Sequence, residues 1–351
     1  MVSLFRKKSA GWIGVDIGSS SVKLVALSRS GRDTQIDSYA IVHLPAGAVV
    51  DGKIEIPHEV SSAVERGLKI CGGRYSHAVV SVPSSAVITK RLQINNLFTG
   101  IDLEDQVKVE ADQFIPYPLE EVALDFEVLG PVAKDPNLNE ILIVACRKES
   151  SESREEAVVN AGLKCGVIDV DTYSMERMLS LLEPKSGEKL HAVVDLGAST
   201  LGLNVFKNGN LVYNREQAFS GADLSASIQQ SYSMSHEEAE LSLRENSFDK
   251  EVYESLIEPY TDTVAQHVSR ALQFFYSSGI HGQLDKCYLA GGVSGIPHLC
   301  NRLEEELGIR AVLTDPFTNM LVSPRLNQER LHRVAPMLAK ACGLALRSFD
   351  Q

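Results

Sequence analysis

The sequence contains a single tryptophan among 351 residues, and its six cysteines stand alone, without a C-x-x-C pair. Isolated thiols of this kind (Cys71, Cys146, Cys165, Cys287, Cys300 and Cys342) argue against a zinc ribbon and against a disulfide framework. They read as buried thiols of a reducing compartment. Long hydrophobic runs are missing as well: no stretch reaches the roughly eighteen apolar residues of a membrane-spanning helix. Near the N-terminus, Arg6, Lys7 and Lys8 precede an apolar stretch that Asp16 interrupts too early for a signal-peptide core. With only Leu4 and Phe5 beside them, these charges read as a solvated lead-in rather than a lipid anchor. There is no basic excess; the formal net charge of -12 offers no positive field to nucleic acid or anionic lipid. The nine histidines show no metal-ligand spacing. A cytoplasmic protein is expected, with proteins or small ligands as partners.

What the chain does have is enough apolar content, 44%, to fill two ordinary cores. Residues Trp12 to Leu27 form two β-like runs pinched around a Gly/Ser turn with one aspartate. Residues His191 to Phe206 repeat the pattern, so that Asp195-x-Gly197 echoes Asp16-x-Gly18 half a chain later. Asn208-Gly209 then supplies a hairpin turn before Leu211 to Tyr213. The spacing predicts a duplicated lobe, each copy opening with the same phosphate-facing hairpin. Between the copies, strands are expected at 77–82 and 87–94. An apolar helical stripe of Leu103, Val107, Ala111 and Phe114 follows, halted by Pro116. Further strands at 122–129 and 140–145, separated by a turn at Asp135 to Asn139, complete a small subdomain. After the second hairpin, Ser235 to Glu238 fits a capping box and 264–275 carries an apolar face. A strand at 286–290 runs into Gly291-Gly292, a helix follows over 297–307, and a last helix begins at Pro336.

A phosphate chain needs backbone N–H donors at close approach, and Mg²⁺ needs carboxylates that bind it directly or through its waters. The first hairpin offers Gly18, Ser19, Ser20 and Ser21, with Lys23 on the returning strand and Asp16 as a carboxylate. The second offers Gly197, Ala198, Ser199 and Thr200, with Asp195 as the other carboxylate. Gly291, Gly292 and Val293 form a strand-to-helix turn at which a flat base or ribose can approach the backbone. Alone, each piece is more often a plain turn; three in order at half-chain spacing read as one site.

This order resembles the actin-like ATPase superfamily over nearly the whole chain. Asp16 to Lys23 is similar to its first phosphate motif, Asp195 to Thr200 to the second and Leu289 to Pro297 to the adenosine motif. Asp169 to Met178 and Pro336 to Leu346 stand where that superfamily has its interdomain helices. The resemblance implies an α/β, actin-like (ribonuclease H-like) duplicated two-lobe fold with an FtsA-type extra subdomain. The first-lobe core is expected at 10–83 and 151–188 with part of 335–351, and the inserted subdomain at 84–150. The second-lobe core is expected at 189–220 and 284–334, with its helical subdomain at 221–283.

Three longer stretches, Phe114 to Gly130, Asp315 to Met320 and Ala335 to Asp350, are similar to the PilM family of type IV pilus assembly proteins. That resemblance implies ATP and Mg²⁺ as cofactors, the latter facing Asp16 and Asp195. It implies a location at the cytoplasmic side of the inner membrane, peripheral through protein partners. The implied partners are the N-terminal tail of PilN, held between the first-lobe core and the extra subdomain, and other inner-membrane and motor proteins of the pilus. At Gly202 actin carries a histidine near the γ-phosphate, so Asp171 is the remaining candidate to orient an attacking water. Leu243 stands at the family's lysine position beside the nucleoside, with Arg244 as its substitute. The expectation is ATP as a structural ligand, with hydrolysis weak or absent. A sugar-kinase-like phosphotransferase and an FtsA-like division filament are the alternatives. The first lacks a clear substrate-side aspartate motif, and the second is expected to carry a C-terminal amphipathic anchor beyond a position such as Gln351.

Overall fold

The computed structural model describes residues 11–31, 33–183, 188–235, 238–239, 242–243, 247–280 and 282–350. Three antiparallel strands open the chain, β1 (Gly11–Ile17), β2 (Ser21–Ser30) and β3 (Asp33–His43). Residues 13–16 of β1 are buried in an unbroken run, the mark of a strand covered on both faces. A two-residue ribbon, β4 (Val49–Val50) and β5 (Lys53–Ile54), leads to α1 (Pro57–Cys71), which begins with proline where a missing N–H costs nothing. Then β6 (Tyr75–Val82) returns parallel to β1, with Trp12 stacked on His77 across the pair.

The inserted subdomain follows, built from β7 (Val87–Asn95), α2 (Ile101–Asp112), β8 (Val122–Val132) and β9 (Asp135–Arg147). Its sheet runs β7-β9-β8, and Leu103 and Val107 of α2 pack on Ile141 and Ile143. Asp135 to Asn139, expected as a turn, belongs to β9. Val132 pairs with Asp135 across a two-residue connection, and a register shift beside Pro131 accommodates the prolines that suggested a loop.

The first lobe resumes with α3 (Lys148–Asn160), β10 (Lys164–Val170) parallel to β6, and α4 (Asp171–Leu182). The second lobe holds β11 (Leu190–Leu196), β12 (Thr200–Lys207), β13 (Asn210–Ala218), α5 (Asp223–Tyr232) and α6 (Glu258–Ser277). It continues with β14 (Lys286–Ala290), α7 (Leu299–Leu307) and β15 (Ala311–Leu313). The capping box is formed: Ser235 Oγ accepts the Glu238 N–H at 3.2 Å, and the Glu238 carboxylate accepts the Ser235 N–H at 2.8 Å.

Sheet order exposes the duplication. The first sheet runs β10-β6-β1-β2-β3 and the second β15-β14-β11-β12-β13, each with an antiparallel meander flanked by two parallel strands. One feature departs from the expected boundaries: β16 (Leu321–Val322) pairs with β3, adding a sixth strand to the first sheet. Phe317, Leu331 and Val334 pack there too, so 317–334 returns to the first lobe rather than staying with the second. A two-residue strand has no periodicity to read, and its burial is decided by distant partners.

The chain closes with α8 (Gln328–Val334) and α9 (Ala339–Arg347). Pro336 sits in a 3-10 turn over Ala335–Leu338, and the α-helix proper begins three residues after it. α4 and α9 lie between the two sheets, where Met175, Met178 and Ala339 pack against Val193 and Phe206 of the second sheet. On the opposite side, α9 packs Ala341, Cys342 and Ala345 against Val25 of the first. Gly343 permits this approach, because a Cβ there would lie 1.9 Å from the Ser174 carbonyl oxygen of α4. All six thiols are unpaired, and burial pushes that of Cys287 up to about 12.

Candidate functional site

The two Asp-x-Gly hairpins meet across the cleft between the sheets. In the β1–β2 turn the Gly18 N–H donates to the Ser21 carbonyl at 3.0 Å, and in the β11–β12 turn the Gly197 N–H donates to the Thr200 carbonyl at 2.9 Å. The two tips touch: Ser199 Oγ donates to Ser19 Oγ at 2.9 Å. Glycine-serine turns of this type present backbone N–H groups to an anion. Gly18, Ser19, Ser20, Ser21 and Lys23 line one cavity of about 300 Å³ with Gly197, Ala198 and Thr200. Gly291, Gly292 and Val293 reach the same cavity from the end of β14. At Gly291 φ is +89°, and a Cβ would lie 2.3 Å from the Leu196 carbonyl oxygen. Its N–H donates to the Pro336 carbonyl at 2.9 Å, tying this turn to the approach of α9. Leu243, Ile296 and Met337 add apolar surface to the cavity that the hairpin hydroxyls also line, a combination that suits a nucleotide. Arg244 lies outside the described residues.

A smaller recess adjoins this cavity, sharing Ser19, Asp195 and Lys340 with it and adding Arg154, Asp171 and Ser199. Across the two pockets the charges are organised in pairs. Asp16, almost fully buried, lies 3.3 Å from Lys23. Burial works to raise its pKa, but Lys23 and Lys340 outweigh it and hold the carboxyl below the usual range. Asp171 opens α4, where its Oδ1 accepts the Ser81 hydroxyl at 2.6 Å and its Oδ2 accepts Lys340 Nζ at 2.9 Å. Asp195, near the end of β11, places Oδ2 3.2 Å from the same ammonium. Desolvation opposes the charge on Lys340, yet the surrounding Asp171, Asp195 and Asp16 raise its pKa well above the ordinary lysine value.

Arg154 of α3 is 3% exposed. One of its nitrogens donates to the Gly52 carbonyl, whereas Nε and Nη1 have no hydrogen-bond partner among the described residues. Burial pushes its pKa down, against the opposing pull of Asp171 and Asp16.

The structure thus brings together Asp16, Asp171, Asp195 and the three glycine-bearing turns. It adds two cations that carry no sequence motif. Lys340 was nonetheless traceable, as a lone lysine in the small, apolar first turns of α9. Arg154 was not, because α3 is rich in glutamate and serine and reads as a solvated helix.

The position between Asp171 and Asp195 does not fit a divalent ion alongside the residues present. Lys340 Nζ already bridges both carboxylates, and Asp16 is paired with Lys23. Among the described residues, no group of three His, Cys, Asp or Glu side chains is gathered to hold a metal.

A family model described as type IV pilus assembly protein PilM matches residues 14–349. Among solved structures, the chain is similar to one of the PilM-PilN type IV pilus biogenesis complex at 27% identity and a TM-score of 0.78, covering 96% of this chain and 98% of that one. It is also similar to the ethanolamine utilization protein EutJ from Carboxydothermus hydrogenoformans, at 17% identity, a TM-score of 0.58, and coverage of 95% of this chain and 88% of that one. A third similar structure is MreB5 of Spiroplasma citri bound to ADP, at 10% identity, a TM-score of 0.52, and coverage of 97% of both chains. The last two likenesses speak for the fold alone.

Proposed function

The chain belongs to the type IV pilus assembly protein PilM family and has the actin-like ATPase fold, and from that premise we propose that it is an ATP-binding adaptor of the pilus machinery that receives the N-terminal tail of PilN. The observation that carries this reading is the end-to-end similarity to a protein solved in complex with PilN. It favours the adaptor over the phosphotransferase and division-filament alternatives. Among the described residues, no helix is long and apolar enough to cross a membrane. Attachment at the inner membrane through PilN and other pilus proteins fits that finding.

In this reading the turns at Gly18 to Ser21 and Gly197 to Thr200 cradle the phosphates, and Gly291 to Val293 lies along the nucleoside. The recess supports weak turnover rather than rapid hydrolysis. Each oxygen of Asp171 already accepts one hydrogen bond, from Ser81 and from Lys340, and the Lys340 charge beside it makes the carboxylate a weaker base toward an attacking water. For the peptide, β7 and β8 are both edge strands of the inserted sheet, and an extended tail can add to such an edge.

The test is a fluorescence-anisotropy titration with a synthetic peptide copying the PilN tail, run beside a steady-state ATPase assay. Saturable peptide binding with turnover near background is expected. Rapid turnover together with no peptide binding would sink the adaptor reading.

A further inference from the structure

Four carboxylates, Asp16, Asp171, Asp195 and Glu216, line the connected pockets, and the cations Lys23, Arg154, Arg215, Arg333 and Lys340 stand among them. A cleft built to hold a divalent ion presents acidic groups that remain to be neutralised. Here the protein neutralises them itself. The two carboxylates that Lys340 bridges come from different parts of the fold: Asp171 begins α4 behind the first sheet, and Asp195 lies near the end of a second-sheet strand. Lys340 comes from a third element, α9, held against α4 by the close approach at Gly343. The ammonium is therefore fixed by helix packing, and its side chain is 18% exposed toward the cavity it lines.

From this arrangement we propose that Lys340 serves as the built-in counter-cation for the phosphates of the bound nucleotide, in the position a divalent ion would take, so that nucleotide binding does not require a metal. An ammonium carries three donors. One is donated to Asp171 Oδ2, and Asp195 Oδ2 lies at ion-pair distance, which leaves donor capacity for a phosphate oxygen in the recess that Ser19 and Ser199 also line. The substitution has a chemical consequence. A single positive charge holds an anion in place but lacks the double charge with which a metal stabilises a transferring phosphoryl group. A lysine in this position retains nucleotide without promoting its hydrolysis.

This inference rests on the reading of the cleft as a nucleotide site, and one experiment separates the two. The full chain is titrated against a fluorescent N-methylanthraniloyl ATP, once in excess Mg²⁺ and once in EDTA. Wild-type affinity is expected to differ between the two buffers by less than about threefold. Lys340→Met is expected to weaken binding in EDTA by roughly thirtyfold or more and to recover with Mg²⁺, because removing the lysine frees Asp171 and Asp195 for the ion. Lys340→Arg, which keeps the charge, should stay near wild type in EDTA. Thermal melts confirm that each variant is folded, and Lys340→Gln replaces the methionine variant should that one fail to melt cooperatively. The wild-type comparison needs no variant at all. Loss of wild-type binding by tenfold or more on chelation would overturn the lysine's role and leave the nucleotide site standing. A methionine variant that binds as wild type in EDTA would overturn it equally. No binding by the wild type in either buffer would remove the nucleotide reading, and this inference with it.

Discussion

Glu183 shows how much one carboxylate can organise at the base of the second lobe. It accepts hydrogen bonds from Lys286 Nζ and from the Tyr288 hydroxyl, both at 2.5 Å, with Lys189 Nζ at 3.7 Å and His191 Nε2 at 3.8 Å. Burial alone would raise its pKa; the bonds from Lys286 and Tyr288 overcome this and bring it from 4.5 down to about 2. The sign of the linkage follows. A folded-state value below the unfolded one contributes stability that is complete above pH 4.5 and fades as the pH falls toward about 2. Glu183→Gln should lower stability at neutral pH by about 2 kcal/mol. That deficit should shrink through the acidic window when urea midpoints of the two proteins are compared; a gap independent of pH would contradict the assignment. Asp16 and Asp195 drew attention in the sequence because glycine follows each at a fixed spacing. Glu183 has no such neighbour. Its two hydrogen-bond donors, Lys286 and Tyr288, are supplied by β14 about a hundred positions away.

Elements that announce themselves by local chemistry were legible, and those decided by distant packing were not. The paired hairpins, the capping box at Ser235 and the strand running into Gly291 all carry turn or cap residues whose geometry is local. The return of 317–334 to the first lobe, and the aim of Lys340 into the cleft, depend on contacts that no window of sequence contains. The packing of α4 on α9 gives this a measurable form. Glycine inside an exposed helix is normally improved by alanine, by up to about 1 kcal/mol. At Gly343 the sign should reverse, because the new methyl group would fall 1.9 Å from the Ser174 carbonyl oxygen. Gly343→Ala is expected to cost roughly 3 kcal/mol in chemical denaturation, by overpacking. A neutral or stabilising outcome would mean that α4 and α9 do not approach as described.

For the whole molecule, the two lobes share one cleft, and a ligand held there is held by both. Ser19 touches Ser199 across it, and Glu216 of β13 accepts from Ser84 and Ser85 on the other side, at 3.1 and 3.2 Å. A nucleotide bound at these turns should therefore stabilise the fold globally by mass action. With ATP at about a hundred times its dissociation constant, the gain should approach 2.7 kcal/mol, read as a rise in the thermal midpoint. An unchanged midpoint at ATP concentrations that should saturate the site would mean that the folded protein does not bind the nucleotide.

The backbone passes from the first sheet to the second between α4 and β11, and comes back between β15 and β16. Each lobe is thus fastened to the other at two separate pins. Parting the lobes therefore works against two covalent tethers at once, set on opposite ends of the second-lobe sequence. A protease that severed one crossing would leave the halves still attached by the second.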